Sequence, residues 1–375
     1  MLEYPVMLNQ IKKIFGKTYQ PLNIIEISKE NLLHNYKVLS SLNRGIKIAP
    51  VLKSNAYGHG LMEVARVMDQ AGAPFFCVDS IYEAYELLKA EIKTPILIMG
   101  YVQPENLKVK KLPFKYAVST LDLAEAINKY QPSSGVHIFV DTGMHREGVL
   151  ISELPEFLKK LPRNLKIEGL MSHLASGDRP NDLLTKLQVK HFDRALGVLK
   201  DHKINPGYRH LASSDGLISS LPKFSTNIAR VGISLFGIAS HNNLKPVLNF
   251  KTQIVQVKKL QKGDRVGYDQ TFPAKKEMTI GILPAGYYDG VDRRLSNKGF
   301  VTIDGAPCKI IGRVSMNITA IDLSKMTKVT IGQSVTIYSG NPSDPNSIAN
   351  SAKICQTIPY ELFVHLTGST KRKVI

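Results

Sequence analysis

From about residue 45 to 235 the chain alternates short apolar runs with segments of helical spacing. The runs are KIAPVLK (47–53), FFCVDS (75–80), PILIMG (95–100), KYAVST (115–120), VHIFVDT (136–142), KIEGLMSH (166–173), YRHLAS (208–213) and NIARVGI (227–233). Between them lie stretches such as IYEAYELLKA and LDLAEAINKY, whose apolar positions recur every three or four residues. Eight near-continuous apolar strands with helical crossovers predict a parallel (β/α)8 barrel of the TIM type. After about residue 240 the period changes to two, in FKTQIVQVKKL, MTIGILP, FVTIDG, CKIIGRV and VTIGQSVTIYSG, with turn residues such as Asp304-Gly305 between runs. This predicts a mainly β C-terminal domain with one late helix near 345–355. The expected division is an N-terminal extension over 1–20, a barrel over 21–240 and a β-rich domain over 241–375. The extension has the makings of an amphipathic helix.

Composition narrows the class. The 375 residues are 43% hydrophobic, enough for a soluble core in one large or two smaller domains. No run of about 18 uncharged apolar residues occurs, so no membrane span is expected. The N-terminus lacks the pattern of a secretory signal. Cys77, Cys308 and Cys355 are scattered, odd in number and without CxxC spacing. That predicts reduced thiols in a cytoplasm, no disulfide framework and no zinc or other metal site, with Cys77 in the core. The net charge of +18 is spread along the chain, with no nucleic-acid motif beside it, and reads as a solvated basic surface.

Candidate chemistry begins at APVLKSNAYGHG (49–60). Lys53 stands at the C-terminal end of the first strand, where barrel enzymes place reactive groups. A lysine in an apolar strand is costly unless paired or used, although one that snorkels from the barrel mouth is equally consistent with the local sequence. On the strand count, Ser214 follows strand seven, and Gly232 and Ile233 close strand eight. Barrel enzymes often bind phosphate there, where a hydroxyl and free N–H groups form a cradle.

These motifs, in this order, resemble the alanine racemase family over roughly residues 21 to 368. The resemblance implies a pyridoxal 5′-phosphate (PLP) enzyme that interconverts L- and D-alanine and supplies D-alanine for peptidoglycan. It implies that Lys53 carries PLP and is one base, that Tyr57 contacts the phosphate, and that HLASSDG (210–216), ARVGISLFG (229–237) and TIPYEL lend Ser214, Gly232, Ile233 and Tyr360 to the same group. Arg230 would bond the pyridine nitrogen. A guanidinium only donates, so that nitrogen would stay unprotonated, which argues against a decarboxylase. Tyr268, in DRVGYDQTF, would be the second base, tuned through His173 and Arg230 and supplied by the other subunit of a homodimer. Arg146, in VDTGMHREG, would contact the cofactor and the substrate carboxylate, and the Met316 backbone would approach that carboxylate. Tyr287, in GYYDG, would line the entrance or pack its turn.

Three positions depart from the family pattern. Phe139 stands where many members carry a carbamylated lysine that positions the arginine, so Arg146 must be held otherwise. Asn317 replaces a usual aspartate, and Glu147 a usual leucine. These changes loosen the choice of alanine over serine, lysine or a broad range. A non-catalytic PLP-carrier barrel is the reading from another class, and Tyr268 with its β domain argues against it.

Overall fold

The computed structural model describes residues 19–219, 226–238 and 241–375. The expected helix in the extension thus falls outside the described residues. Eight strands form where the apolar runs lie: Lys47–Pro50, Phe76–Val78, Ile96–Ile98, Phe114–Val118, Gly135–Asp141, Lys166–Met171, Tyr208–His210 and Ile228–Val231. Strands two to seven pair in order and in parallel. The eighth pairs in parallel with the first, Ile228 opposite Lys47 and Val231 opposite Pro50. A Val51–Cys77 bridge joins the first to the second. Backbone bonds from Asn227 to Arg209 (2.9 Å) and from Arg230 to Ala212 (3.0 Å) join seventh to eighth. The sheet therefore curls into a barrel-like ring. Gly135–Asp141 is buried at every position, as a parallel strand covered on both faces must be.

The helical segments coil where the period of 3.6 places them. IYEAYELLK forms Ile81–Lys89, started by a capping box in which Ser80 and Glu83 satisfy each other's backbone N–H groups. LDLAEAINKY forms Leu121–Tyr130 and buries Leu123, Ala124, Ala126 and Ile127 against the ring. Inside the ring, Ala49, Phe75, Cys77, Leu97 and Ile228 form one apolar cluster, and Ala117, Phe139 and Met171 another. Cys77, Cys308 and Cys355 are all free and buried.

The C-terminal unit is built on a nine-stranded sheet. Leu248–Gln253 alternates buried and half-buried positions, the mark of a strand with one wet face. Phe300–Ile303 and Ala306–Ile311 form a hairpin whose turn residues, Asp304 and Gly305, both take positive φ (48° and 81°), as a tight primed turn demands. The strand Ile24–Ile27 precedes the barrel in sequence yet belongs to this sheet. It pairs antiparallel with Leu248–Gln253 and in parallel with Lys371–Val374. The late helix runs over Ile348–Cys355, and a second, Pro359–Val364, follows it. No helix among the described residues is long and apolar enough to cross a membrane.

Candidate active site

The first barrel strand ends in an unusual turn. Ser54, Asn55, Ala56 and Tyr57 all adopt left-handed backbone, with φ of 56°, 55°, 51° and 53°. Each such L-residue costs roughly 1–2 kcal/mol. Glu83 offsets part of that cost, because its carboxylate accepts from the N–H groups of Ser54 (2.6 Å) and Asp79 (2.9 Å). Asn55 Oδ1 accepts from Leu61 N at 2.8 Å and ties the turn to the next helix. The C-terminal unit grips it as well, since Arg372 donates to the Gly58 carbonyl at 2.8 Å. The result brings Lys53 and Tyr57 to one cleft of about 240 Å³ at the barrel mouth.

Arg146, His173, Ser214, Arg230, Gly232, Ile233 and Tyr360 line the same cleft. Nine residues singled out from the sequence therefore converge. Arg230 is 5% exposed. Its Nη1 donates to the His210 carbonyl (2.7 Å) and lies 3.0 Å from His210 Nδ1. Its Nη2 donates to the Ser172 carbonyl (2.5 Å) and lies 3.1 Å from His173 Nδ1. A guanidinium has no acceptor, so both imidazoles must present a bare Nδ1 and carry their proton on Nε2. Burial and the Arg230 charge hold His173 down at about 3, and burial foremost holds His210 well below its ordinary value. Burial also lowers Arg230, to about 10, which still leaves it charged near neutrality. His210 Nε2 lies 2.7 Å from His137 Nδ1, so the chain of donors continues to a second buried ring.

Tyr57, Ser214 and Tyr360 add hydroxyls to the cleft, beside the Asp215 carboxyl, which burial pushes up. Burial, with Tyr360 next, pushes the Tyr57 phenol up to about 12, so its hydroxyl keeps its proton. A Cβ at Gly232 would lie 2.5 Å from that hydroxyl oxygen, which is why this position takes no side chain. Ser214 Oγ accepts weakly from Ser234 N at 3.4 Å. Hydroxyls and strand-end N–H groups around a small cradle suit a phosphate.

Two of the singled-out residues are elsewhere. Tyr268 (67% exposed) and Met316 (55% exposed) do not line the cleft of their own chain. Tyr268 sits in a short 3-10 turn after Gly267, steadied by an Arg313–Asp269 ion pair at 2.8 Å. Met316 is stitched to the GYYDG segment, where its carbonyl accepts from Tyr288 N at 2.9 Å. Tyr287 is half exposed beside it.

The structure also adds groups that sequence reasoning passed over. Asp79 lies 3.3 Å from Lys53 Nζ. His210 sits inside the HLASSDG motif and was overlooked in favour of its serine. His137 and Glu83 gave no local signal beyond a strand and a helix cap.

Residues 27–240 match the family description "Alanine racemase, N-terminal domain", and residues 247–374 match "Alanine racemase, C-terminal domain". The chain is similar to the alanine racemase of Carboxydothermus hydrogenoformans, with 34% identity over 362 residues, 92% of this chain and 98% of that one. Among solved structures it is similar to the alanine racemase of Clostridium difficile 630, with a TM-score of 0.88 and 26% identity, covering 96% of this chain and 97% of the other. It is also similar to an alanine racemase from Bartonella henselae with covalently bound pyridoxal phosphate (TM-score 0.82, 26% identity, 95% and 100% covered).

Proposed function

The chain belongs to the alanine racemase family and is an isomerase that interconverts L- and D-alanine with pyridoxal phosphate; from that premise we propose that Lys53 and Tyr268 are its two bases, facing each other across a site shared by two copies. The residues fit the cofactor. The Tyr57 hydroxyl lies against Gly232 where a Cβ would stand, the Ser214 and Tyr360 side chains line the same cleft, and the buried Arg230 adds a cation that can only donate. In this reading Tyr57, Ser214, Tyr360 and the N–H groups of Gly232 and Ile233 hold the phosphate, Arg230 donates to the ring nitrogen, and Lys53 holds the cofactor covalently. When bound, pyridoxal phosphate supplies the electron sink that makes the substrate Cα–H acidic.

Everything else falls to the side chains. Arg146 receives the substrate carboxylate by charge-assisted bonds, and the backbone of Met316 from the second copy borders it. Tyr268 takes the Cα proton of the L-enantiomer, and the Lys53 amine, protonated, returns one to the opposite face; the D-enantiomer reverses the roles. One C–H bond breaks and one forms, so no proton is gained or lost overall. His173, with Nδ1 occupied by Arg230, has its Nε2–H free to donate to the Tyr268 oxygen and favour its basic form. Arg230 keeps the ring nitrogen unprotonated, which weakens the sink and favours quick reprotonation over side reactions.

The observation that carries this reading is Arg230, buried and fastened by two carbonyls and two neutral imidazoles. A homodimer is supported by the absence of Tyr268 from its own cleft and by the exposed Tyr287, Tyr288, Met316 and Ile318 in the same unit. We further take the enzyme to be cytoplasmic, making D-alanine for peptidoglycan. The test is incubation with L-alanine and pyridoxal phosphate, followed by chiral chromatography and a CO2 assay. D-alanine approaching half of the total without CO2 is expected. Unchanged L-alanine, or released CO2, sinks the proposal, and parallel runs with serine and lysine define the range.

A further inference from the structure

Among the described residues, Arg146 is the cleft cation with no partner at the barrel strand ends: Lys53 meets Asp79 at 3.3 Å and Arg230 meets the His210 and Ser172 carbonyls. Arg230 is held by backbone carbonyls, whereas the single hydrogen bond of the Arg146 guanidinium among the described residues goes to Glu147 Oε1, at 3.2 Å. Beneath it, Phe139 belongs to an apolar cluster with Ala117 and Met171 and offers no acceptor. Glu147 lines the same cleft.

Side chains of adjacent residues ordinarily diverge. Here the backbone turns them together. Asp141, itself buried, accepts from the N–H groups of Gly143 (2.8 Å), Met144 (3.0 Å) and His145 (3.1 Å). His145 then takes left-handed backbone (φ 54°), and Gly148 (φ 115°) passes so close that a Cβ would lie 2.7 Å from Asp141 N. The loop is thus closed at its start on the Asp141 carboxylate and at its end against the Asp141 backbone, and Arg146 and Glu147 ride on it as a unit.

We infer that Glu147 is the positioning residue for Arg146: its carboxylate orients the guanidinium for an incoming carboxylate and makes a modified side chain at position 139 unnecessary. Phe139 and Glu147, two of the three departures noted in the sequence, are then one exchange, an anion moved from the strand to the loop. Both members of the pair are about half exposed, so its effect lies in orientation and local charge and little in global stability.

The inference rests on the reading of Arg146 as carboxylate ligand, and its test separates the two. In holoenzyme, Glu147→Gln keeps the shape and removes the charge. Its KM for alanine should rise about fivefold, the most that a partly exposed ion pair supports, while kcat moves less. Binding of propionate, a carboxylate without an amine, followed by the cofactor absorbance, should weaken by the same factor. Glu147→Asp should fall between the wild type and the glutamine variant. Wild-type KM and propionate affinity in Glu147→Gln overturn the inference, and so does a drop in melting temperature with kcat and KM changed alike. If the wild type fails to racemise alanine, the functional reading fails, while propionate affinity still decides whether Glu147 orients Arg146.

Discussion

The barrel mouth and the ridge around Tyr268 are two solutions to presenting chemistry. At the mouth, Arg230, His173 and His210 are locked by backbone carbonyls and by one another, away from water. On the ridge, Tyr268, Met316 and Ile318 are exposed; the turn beneath Tyr268 is steadied by Arg313 and Asp269, and Met316 and Ile318 are held through their backbone carbonyls. The first is finished within one chain. The second has the exposed apolar character of a surface that awaits another. A site made of both would assemble only when two copies meet, so catalytic power would be tied to association, while the proposed cofactor cradle would be complete beforehand.

The largest effect that could break this contrast comes from mixing variants. Lys53→Ala should lose both the absorbance of bound cofactor and all measurable turnover. Tyr268→Phe should keep the absorbance and lose turnover by the 10²–10⁴-fold of a missing general base, roughly. Unfolded and refolded together, they should regain about a quarter of wild-type activity, because a mixed dimer rebuilds one intact site. No regain in the mixture would place both bases in one chain and dissolve the comparison.

A smaller effect concerns the mouth alone. Gly232→Ala forces a Cβ to within 2.5 Å of the Tyr57 hydroxyl. The ring must give way, and cofactor affinity should fall about tenfold or more, as overpacking generally costs. Equilibrium dialysis against pyridoxal phosphate measures it, and unchanged affinity would remove Tyr57 from the cradle.

The gentlest test is acid. Burial holds His59, His137 and His173 at about 3, and His210 well below its ordinary 6.5. Unfolded, all four titrate near 6.5, so between those values the unfolded chain binds protons that the folded one refuses. Stability is therefore full above about pH 6.5 and falls as pH drops, by up to about 1.4 kcal/mol per unit for each ring. Urea midpoints at pH 7.5 and pH 5.5 should differ in that sense, and equal midpoints would mean that the rings are solvated. Acid should loosen the barrel interior and leave the ridge alone.

Much of this was legible in the chain. Apolar runs gave the starts of the eight strands to within a residue and overran their C-terminal ends by one to three, because a strand buried on both faces needs unbroken hydrophobicity and the run continues into the loop at the barrel mouth. That nine of the named residues line one cleft follows from where the motifs that resemble the family lie, mostly at strand ends, where a barrel collects them. Other features needed three dimensions. Asp79 and Glu83 look like an ordinary helix start, yet one meets Lys53 and the other caps its turn. The pairing of Ile24–Ile27 with the far C-terminus is non-local, and no nearby residue announces it. The Arg146–Glu147 contact depends on the left-handed His145, which neighbouring residue types do not dictate.

The turn from Ser54 to Tyr57 has a last consequence. Its backbone sits in the territory that mirror-image residues favour, so a synthetic chain carrying D-alanine in place of Ala56 would relax into it where the natural one is bent. An enzyme that makes the D-form of alanine thus contains, immediately before the tyrosine that lines its cleft, a position where its own product would be the better building block.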